Sequence, residues 1–336
     1  MGEARLKVVA AGPLVTVQDA GRTGYMRFGV AASGPMDRLS HAAGNVALGN
    51  APEASSIEIS TGGLVLECVT GTLSFSVTGA DCLVETSGES MGSWSVTSLS
   101  PGERLSIRAG HKGSWAYLAF AGKLESQEWL GHSATHSTSG FGGGALRAGQ
   151  ILTVRDAALR EDRHGAIQRP AIAACEAIRV VMGPQDRFFD PSALSALQEQ
   201  PFRLSAQFDR MGVRLVGPKL SIDGALSIPS EPVAKGAIQV AGDGTPTVLL
   251  ADHQTTGGYP KIATVISTDL DRISQMRAGD VVRFEAVSPE QAISIARDRA
   301  LKTQMYLEEV AVPRGTLAQR LMRENLISGA VSETPD

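Results

Sequence analysis

Apolar residues in this chain come in short runs, and nearly every run is closed by Gly, Pro, Asp or Ser. A strand needs only a few residues to cross a sheet, whereas Gly and Pro interrupt helical hydrogen bonding, so this punctuation favours strands joined by turns. In the first half the runs at 6–10, 64–68, 73–78, 104–107, 114–121 and 151–154 read as strands. In the second half those at 178–182, 214–216, 237–240, 247–250, 262–267 and 280–286 do the same. Glycine supplies 37 of 336 residues, about 11% against about 7% in average usage. With no period of three, that excess means turns and not collagen. An apolar content of 43% and a net charge of −4 exclude disorder as the main state. The predicted class is mainly β, a barrel or sandwich with few helices.

One small pattern recurs. Pro101-Gly102-Glu103-Arg104, Ala148-Gly149-Gln150-Ile151 and Ala278-Gly279-Asp280-Val281 each place Gly in a turn, then a polar residue, then a strand. Any β protein reuses such a turn, but its position near the end of each half is consistent with two related barrels. The length fits about two domains. The charged, then Ala/Pro-rich stretch 161–174 is read as the linker. This gives a β-barrel domain at 1–165, a second at 175–287 and a helical extension at 288–336. Asp37 is placed to cap a helix running to Leu48, with Gly49-Asn50 as its stop. Asp190-Pro191 opens a short helix. Ser288 and Gln291 have capping-box spacing ahead of a helix that Pro313 ends. A further helix is expected at 316–326 and a frayed end at 331–336.

Several functions are excluded early. A pI near 5.9 gives no pull toward nucleic acid or anionic membrane. No uninterrupted apolar stretch is long enough to span a bilayer. Residues 1–17 faintly resemble a signal peptide, but Gly12-Pro13 interrupt them, so a first strand pair is expected. Cys68, Cys82 and Cys175 form neither a disulfide framework nor a metal pattern, which points to a reducing, cytoplasmic setting. Gly88-Glu89-Ser90-Met91-Gly92 has nucleophile-elbow spelling, yet the residues after it alternate like a strand, so a β-turn is expected. His132 and His136 have a zinc-like interval without an accompanying glutamate, and no metal site is predicted. Gly140-Phe141-Gly142-Gly143-Gly144 lacks the Gly-Lys-Ser/Thr ending of a P-loop and reads as a mobile surface loop.

Chemistry concentrates in four segments. The connection between the strands at 247–250 and 262–266 is longer than a hairpin loop and collects Asp252, His253, Gln254, Thr255, Thr256, Gly257, Gly258, Tyr259 and Lys261. A polar loop on a β scaffold is where binding groups are commonly placed. The second segment is Thr16-Val17-Gln18-Asp19-Ala20-Gly21-Arg22-Thr23-Gly24-Tyr25, in which Arg22 can hold a carboxylate bidentately. The third is Asp209-Arg210-Met211-Gly212, and the fourth is Pro229-Ser230-Glu231-Pro232 with Gln239 in the strand that follows.

Gly236-Ala237-Ile238-Gln239-Val240, Leu249-Leu250-Ala251-Asp252 and the string Gln254-Thr255-Thr256-Gly257-Gly258-Tyr259-Pro260-Lys261 resemble the allophanate hydrolase subunit 2 family. This is also called the biotin-dependent carboxyltransferase-like family, and it includes the C subunit of ATP-dependent 5-oxoprolinase and the KipA-type proteins. The Thr16–Tyr25 run, Gly34-Pro35-Met36-Asp37, Asp209-Arg210-Met211-Gly212 and Ser230-Glu231 match it too, over about residues 6–287. The chain departs from the family pattern at His132-Ser133-Ala134, where an arginine is usual, and at His253.

The resemblance implies tandem cyclophilin-like β-barrels. It also implies a chain that works with a KipI-type partner, the B subunit of the 5-oxoprolinases, and with their A subunit. It implies ATP-dependent opening of a small cyclic amide, 5-oxoproline, with ATP bound in the assembled complex. Lys261 and Arg210 would stabilise an anionic oxygen or a carboxylate, and Asp252 and Tyr259 would orient protons. Gln18, Gln239 and Gln254 would fix the amide, with Asp19, Arg22, Glu231, Thr255, Thr256, Gly257 and Gly258 around the substrate. One alternative is a carboxyltransferase using carboxybiotin on a separate carrier to modify urea or a related amide. Another is a non-catalytic regulator that binds a KipI-like partner.

Overall fold

The computed structural model describes residues 2–86, 88–171, 177–222 and 228–315. Residues 2–166 form two sheets whose ladders are antiparallel. The first runs in the order Lys123–Leu124, Ile151–Ala157, Gly2–Ala11, Leu64–Thr70, Arg104–Ala109, Cys82–Thr86, Glu89–Gly92. The second runs Gly165–Ala166, Ser95–Leu99, Leu73–Gly79, Ala116–Phe120, Ser56–Ile59, Thr16–Gln18. Gly2–Ala11 shows the patterning that drives this: Ala4, Leu6 and Val8 are buried while Glu3, Arg5 and Lys7 face water. Its buried side chains share one core with Leu66 and Val154 of the same sheet and with Phe75 and Leu118 of the other.

The second half is built on an eight-stranded sheet in the order Val281–Val282, Phe202–Phe208, Gly212–Val216, Pro246–Leu249, Ala237–Val240, Lys261–Val265, Ile178–Met182, Phe284–Ala286. Its two end strands are neighbours in sequence, separated only by Arg283. The sheet therefore closes almost fully on itself, leaving little edge to pair elsewhere. The protein is mainly β, as expected.

Among the described residues four helices complete it: α1 (Arg38–Leu48), α2 (Pro191–Glu199), α3 (Leu270–Gln275) and α4 (Pro289–Ala311). Asp37 caps α1 by accepting from Ser40 N at 3.0 Å, and Gly49, at φ 84°, ends it. Ser288 and Gln291 form a capping box on α4. The halves are tied together. Met36, Trp115 and Tyr117 of the first join the core of the second, and α4 returns to pack Tyr306, Leu307 and Val310 against Ala43, Val46 and Ala47 of α1.

The structure bears out some local readings of the sequence and differs from others. Gly2–Ala11 and Thr16–Gln18 are both strands, but they enter different sheets and do not pair; Gly12 and Pro13 turn the chain between layers. Asp190 makes no side-chain cap, although Pro191 does open α2. The Gly88–Gly92 spelling lies in a hairpin of Cys82–Thr86 with Glu89–Gly92, where Ser90 faces Glu85. The glycine stretch 140–144 is pinned: Gly143 N donates to Ser133 O at 2.8 Å and Val17 N to Gly144 O at 3.1 Å. In the 161–174 stretch, Gly165–Ala166 pairs with Ser95–Leu99 and Ile167 is buried. Gly102, Gly149 and Gly279 have φ of 85°, 86° and 90°, so the recurring turn does require glycine. Cys175, the helix expected at 316–326 and the fray at 331–336 lie outside the described residues. Among the described residues no helix is long and apolar enough to cross a membrane.

Candidate functional site

The sequence candidates sort into a closed cluster of charges and the surroundings of two clefts. The closed cluster is centred on Arg210. Asp209 Oδ1 accepts from Met211 N at 2.8 Å and Gly212 N at 3.2 Å, an Asx turn that directs Arg210 inward. Arg210 grips Asp252 with two bonds, Nε to Oδ2 at 2.9 Å and Nη2 to Oδ1 at 3.0 Å. Its Nη1 donates to Glu58 Oε1, and its Nη2 also to Gly34 O at 2.8 Å. Glu58 Oε2 accepts from Met36 N at 2.8 Å and Tyr117 OH at 2.9 Å. All three ionised side chains have zero side-chain exposure. Burial pushes the Asp252 carboxyl up, but Arg210 and Ser137 outweigh it and bring its pKa down to about 2. Burial likewise works against the Arg210 cation, yet Glu58 and Asp252 hold its pKa above the ordinary value. Arg210 is thus committed to the protein itself, and direct contact with a substrate does not follow from this geometry. Asp252 is an ionised acceptor, not a proton donor.

The first cleft opens where Lys261–Val265 leaves the long loop. Gln239 stands opposite Lys261 across a register irregularity after Ile238, the kind of bulge that redirects a side chain. Lys261 Nζ is 3.6 Å from Glu231 Oε2, which is half-exposed, and has no hydrogen-bond partner among the described residues. Gln185 holds both: its Nε2 donates to Glu231 Oε2 at 2.5 Å, and its Oε1 accepts from Lys261 N at 3.0 Å. Gln254 Nε2 donates to Gln239 Oε1 at 2.8 Å, while Gln239 Nε2 is buried and unpartnered among the described residues. Glu231 pairs with Gly257 in a short ladder. A Cβ on Gly257 would stand 2.6 Å from Gln239 Nε2, so a side chain there would have to displace the Gln239 amide. The cleft, ≈ 350 Å³, is lined by Gln239, Gln254, Tyr259, Met211, Asp209 and Arg214 among others. Tyr259 is half-exposed at its rim.

The second cleft, ≈ 340 Å³, shares Met211 and Gln254 with the first and lies at the seam between the halves. Trp129, His136, Phe141 and Asp252 line it, with His253, Thr255 and Thr256. His253 Nδ1 is 2.6 Å from Gln254 O, and burial lowers its pKa, so the ring is neutral at pH 7. Behind Trp129 lies Arg22, at zero exposure and 4.9 Å from the indole centroid. Asp19 is a structural acceptor for Gly21 N at 2.9 Å and Ser133 N at 2.7 Å. His132, next to Ser133 where the family arginine is missing, sits 3.6 Å from the same carboxylate. Gln18 is buried and donates to Thr16 Oγ1 at 2.9 Å and Thr135 O at 3.1 Å. Gly258 O accepts from Ile228 N at 2.9 Å, which shapes the loop.

The structure therefore groups Lys261, Glu231, Gln239, Gln254, Gly257 and Tyr259, and sets Arg210 with Asp252 apart as a buried tie. Sequence reasoning missed Gln185, Glu58, Trp129 and Phe141. The Gly183-Pro184 turn before Gln185, and a lone glutamate inside Ser56-Ile57-Glu58-Ile59, were the available signals. Volume alone misleads: a hollow of ≈ 730 Å³ beside Glu89–Gly92 contains none of the candidates. Among the described residues no group of three or more His, Cys, Asp or Glu side chains could hold a metal ion.

Residues 28–286 match the model of the carboxyltransferase domain, subdomain A and B. The chain belongs to that family. It is similar to the C subunit of 5-oxoprolinase from Haemophilus influenzae, 33% identical over 299 residues, covering 88% of this chain and 94% of that protein. The C subunit of 5-oxoprolinase from Escherichia coli is 32% identical over 323 residues, covering 95% and 100%. In structure, this carboxyltransferase-family chain resembles the Kluyveromyces lactis urea carboxylase with a TM-score of 0.80 at 24% identity, over 92% of this chain and 30% of that one. That likeness concerns the fold.

Proposed function

We propose that this chain is the component of an ATP-dependent amide hydrolase that handles the lactam, and that the lactam is 5-oxo-L-proline, opened to L-glutamate. The observation that carries this reading is the near end-to-end similarity to two proteins named as the C subunit of 5-oxoprolinase. The geometry supports it. A ring amide resists water until its oxygen is activated, and ATP bound in the assembly would supply that activation by phosphorylation. This chain's part is to hold the lactam and stabilise charge on its oxygen. Lys261 Nζ and Gln239 Nε2 are buried donors without hydrogen-bond acceptors among the described residues, on register partners of neighbouring strands, and Gln239 lines the first cleft. Such pre-aimed donors cost no reorganisation when charge develops. Gln254 fixes the Gln239 amide, Gln185 fixes Lys261 and Glu231, and Glu231 supplies an acceptor for the ring N–H. Arg210 and Asp252 act through position, by fixing the loop that carries Gln254. Two partner chains, the B and A subunits in 5-oxoprolinase nomenclature, complete the enzyme in the cytoplasm.

The test is ATP-dependent glutamate release from 5-oxoproline by this chain mixed with its partner chains. Lys261→Met should lower kcat about 10²- to 10³-fold, as loss of an oxyanion donor does, with folding retained. No glutamate release by the wild-type mixture, together with carboxylation of urea when a biotin carrier is added, would establish the second reading. That reading, a carboxyltransferase, is favoured by the family model itself.

A further inference from the structure

Arg22 is a fully buried cation without a buried anion of its own among the described residues. Its Nη2 donates to Ala134 O, while Nε and Nη1 have no hydrogen-bond partner among those residues. An arginine cannot shed its proton to escape this situation. The two carboxylates whose fields reach it are Asp19 and Asp252. Asp19 is spent on Gly21 N and Ser133 N, and Asp252 on Arg210 and Ser137 N. A buried charge normally keeps a direct partner, because desolvation is otherwise uncompensated.

The surroundings show where a partner would come from. Trp129 lines the seam cleft and has Arg22 over its ring at 4.9 Å. Phe141 stacks on the same ring at 4.5 Å with a 21° tilt. Trp129 is thus in contact with both the guanidinium and Phe141. Phe141 is half-exposed on a pinned backbone, its carbonyl accepting from His136 N at 2.9 Å, so opening here is a movement of side chains. The cleft shares Met211 and Gln254 with the one that Gln239 lines.

We propose that Arg22 anchors the carboxylate of an anionic amide substrate, with the Trp129–Phe141 pair as the gate that moves aside to admit it. Assigning that carboxylate to the lactam substrate rests on the function proposed above. The arrangement makes the site selective: the amide group binds at Gln239 and Lys261, and only a ring bearing a carboxylate also engages Arg22.

Calorimetric titration of the chain with 5-oxo-L-proline and with 2-pyrrolidinone, the same lactam lacking the carboxylate, tests this without nucleotide or partner chains. The wild type should prefer 5-oxoproline by about 30-fold, the worth of one charge-assisted pair. Arg22→Gln should abolish the preference, and Arg22→Lys should keep part of it. Indole fluorescence should change with 5-oxoproline only, and the change should vanish in Trp129→Phe. Equal affinity of the wild type for both lactams, or no binding of 5-oxoproline, overturns the proposal. So does an undiminished preference in Arg22→Gln. If that variant does not fold, the wild-type preference and the fluorescence response decide. Carboxylate preference without glutamate release by the assembled enzyme would keep the anchor and sink the proposed function. Glutamate release without carboxylate preference would do the reverse.

Discussion

Among the described residues two arginines have zero exposure, Arg210 and Arg22, and their surroundings are opposites. Around Arg210 every charge is answered. Asp252 takes two of its bonds, Glu58 takes another, and Gly34 O accepts as well. The cluster draws on both halves, with Glu58 from Ser56–Ile59 and Asp252 from the loop after Pro246–Leu249. Around Arg22 the charge is answered by a carbonyl and a ring. Burial alone therefore does not separate a binding group from a structural one; the number of uncommitted donors does. Lys261 and Gln239 fall on the Arg22 side of that division.

The contrast is broken most directly by giving both arginines the same substitution. Arg210→Met strands Glu58 and Asp252 in the interior and should cost about 3–5 kcal/mol, the usual penalty for removing one partner of a buried pair. Arg22→Met removes a poorly paired buried cation and should cost no more than about 1 kcal/mol, or stabilise. Urea unfolding of the two variants measures the difference. Equal losses would mean that Arg22 is as structurally committed as Arg210.

Acid titration sharpens the same division. The Asp252 pKa is depressed to about 2 in the folded chain, below its value when unfolded, so the unfolded state binds the proton first as pH falls. Its contribution is fully present above about pH 4 and is lost as pH falls toward 2. About 2 kcal/mol should disappear over that window. Asp252→Asn should be less stable at pH 5 but show a flatter decline below pH 4. A variant whose stability falls as steeply as the wild type would show that Asp252 is not held ionised by Arg210.

Much of the fold was legible because strands here alternate cleanly or form wholly apolar runs between turn residues. Ala237–Val240 was bounded correctly from sequence, and α1 and α4 from their caps. The misses have physical reasons. Ser56–Ile59 is short and carries Glu58, which looks solvent-bound until Arg210 arrives from 152 residues away to pair with it. Phe202–Phe208 is apolar mainly at Phe202, Leu204 and Phe208, and pairs through a register shift. α3 is six residues long without a side-chain cap, and is held by Ile273 and Ser274 in the core. At the site, the sequence displayed the polar loop but not which of its members spend their hydrogen bonds internally. That distinction depends on long-range partners. Gln185 meets Lys261 across 76 positions, and Arg22 meets Trp129 through folding alone.

The smallest expected effect is the most local. Gly257 does not need a left-handed backbone; its constraint is space, because a Cβ would stand 2.6 Å from Gln239 Nε2, 3.3 Å from Val233 Cγ2 and 3.4 Å from Gln254 Nε2. The one severe contact is the end of a flexible side chain and Val233 need give only a few tenths of an ångström, so Gly257→Ala should fold with stability within about 1 kcal/mol of wild type, the ordinary range for a change without a core defect. The methyl must nevertheless push the Gln239 amide off its bond to Gln254, and that amide belongs to the open set. Turnover should fall about tenfold, the cost of roughly one net hydrogen bond, while Arg22-dependent preference for a carboxylate-bearing lactam is retained. An unchanged rate would place Gln239 outside the reacting group. A lost preference would mean that the two clefts act as one unit, so that the division between anchored carboxylate and activated amide would have to be redrawn.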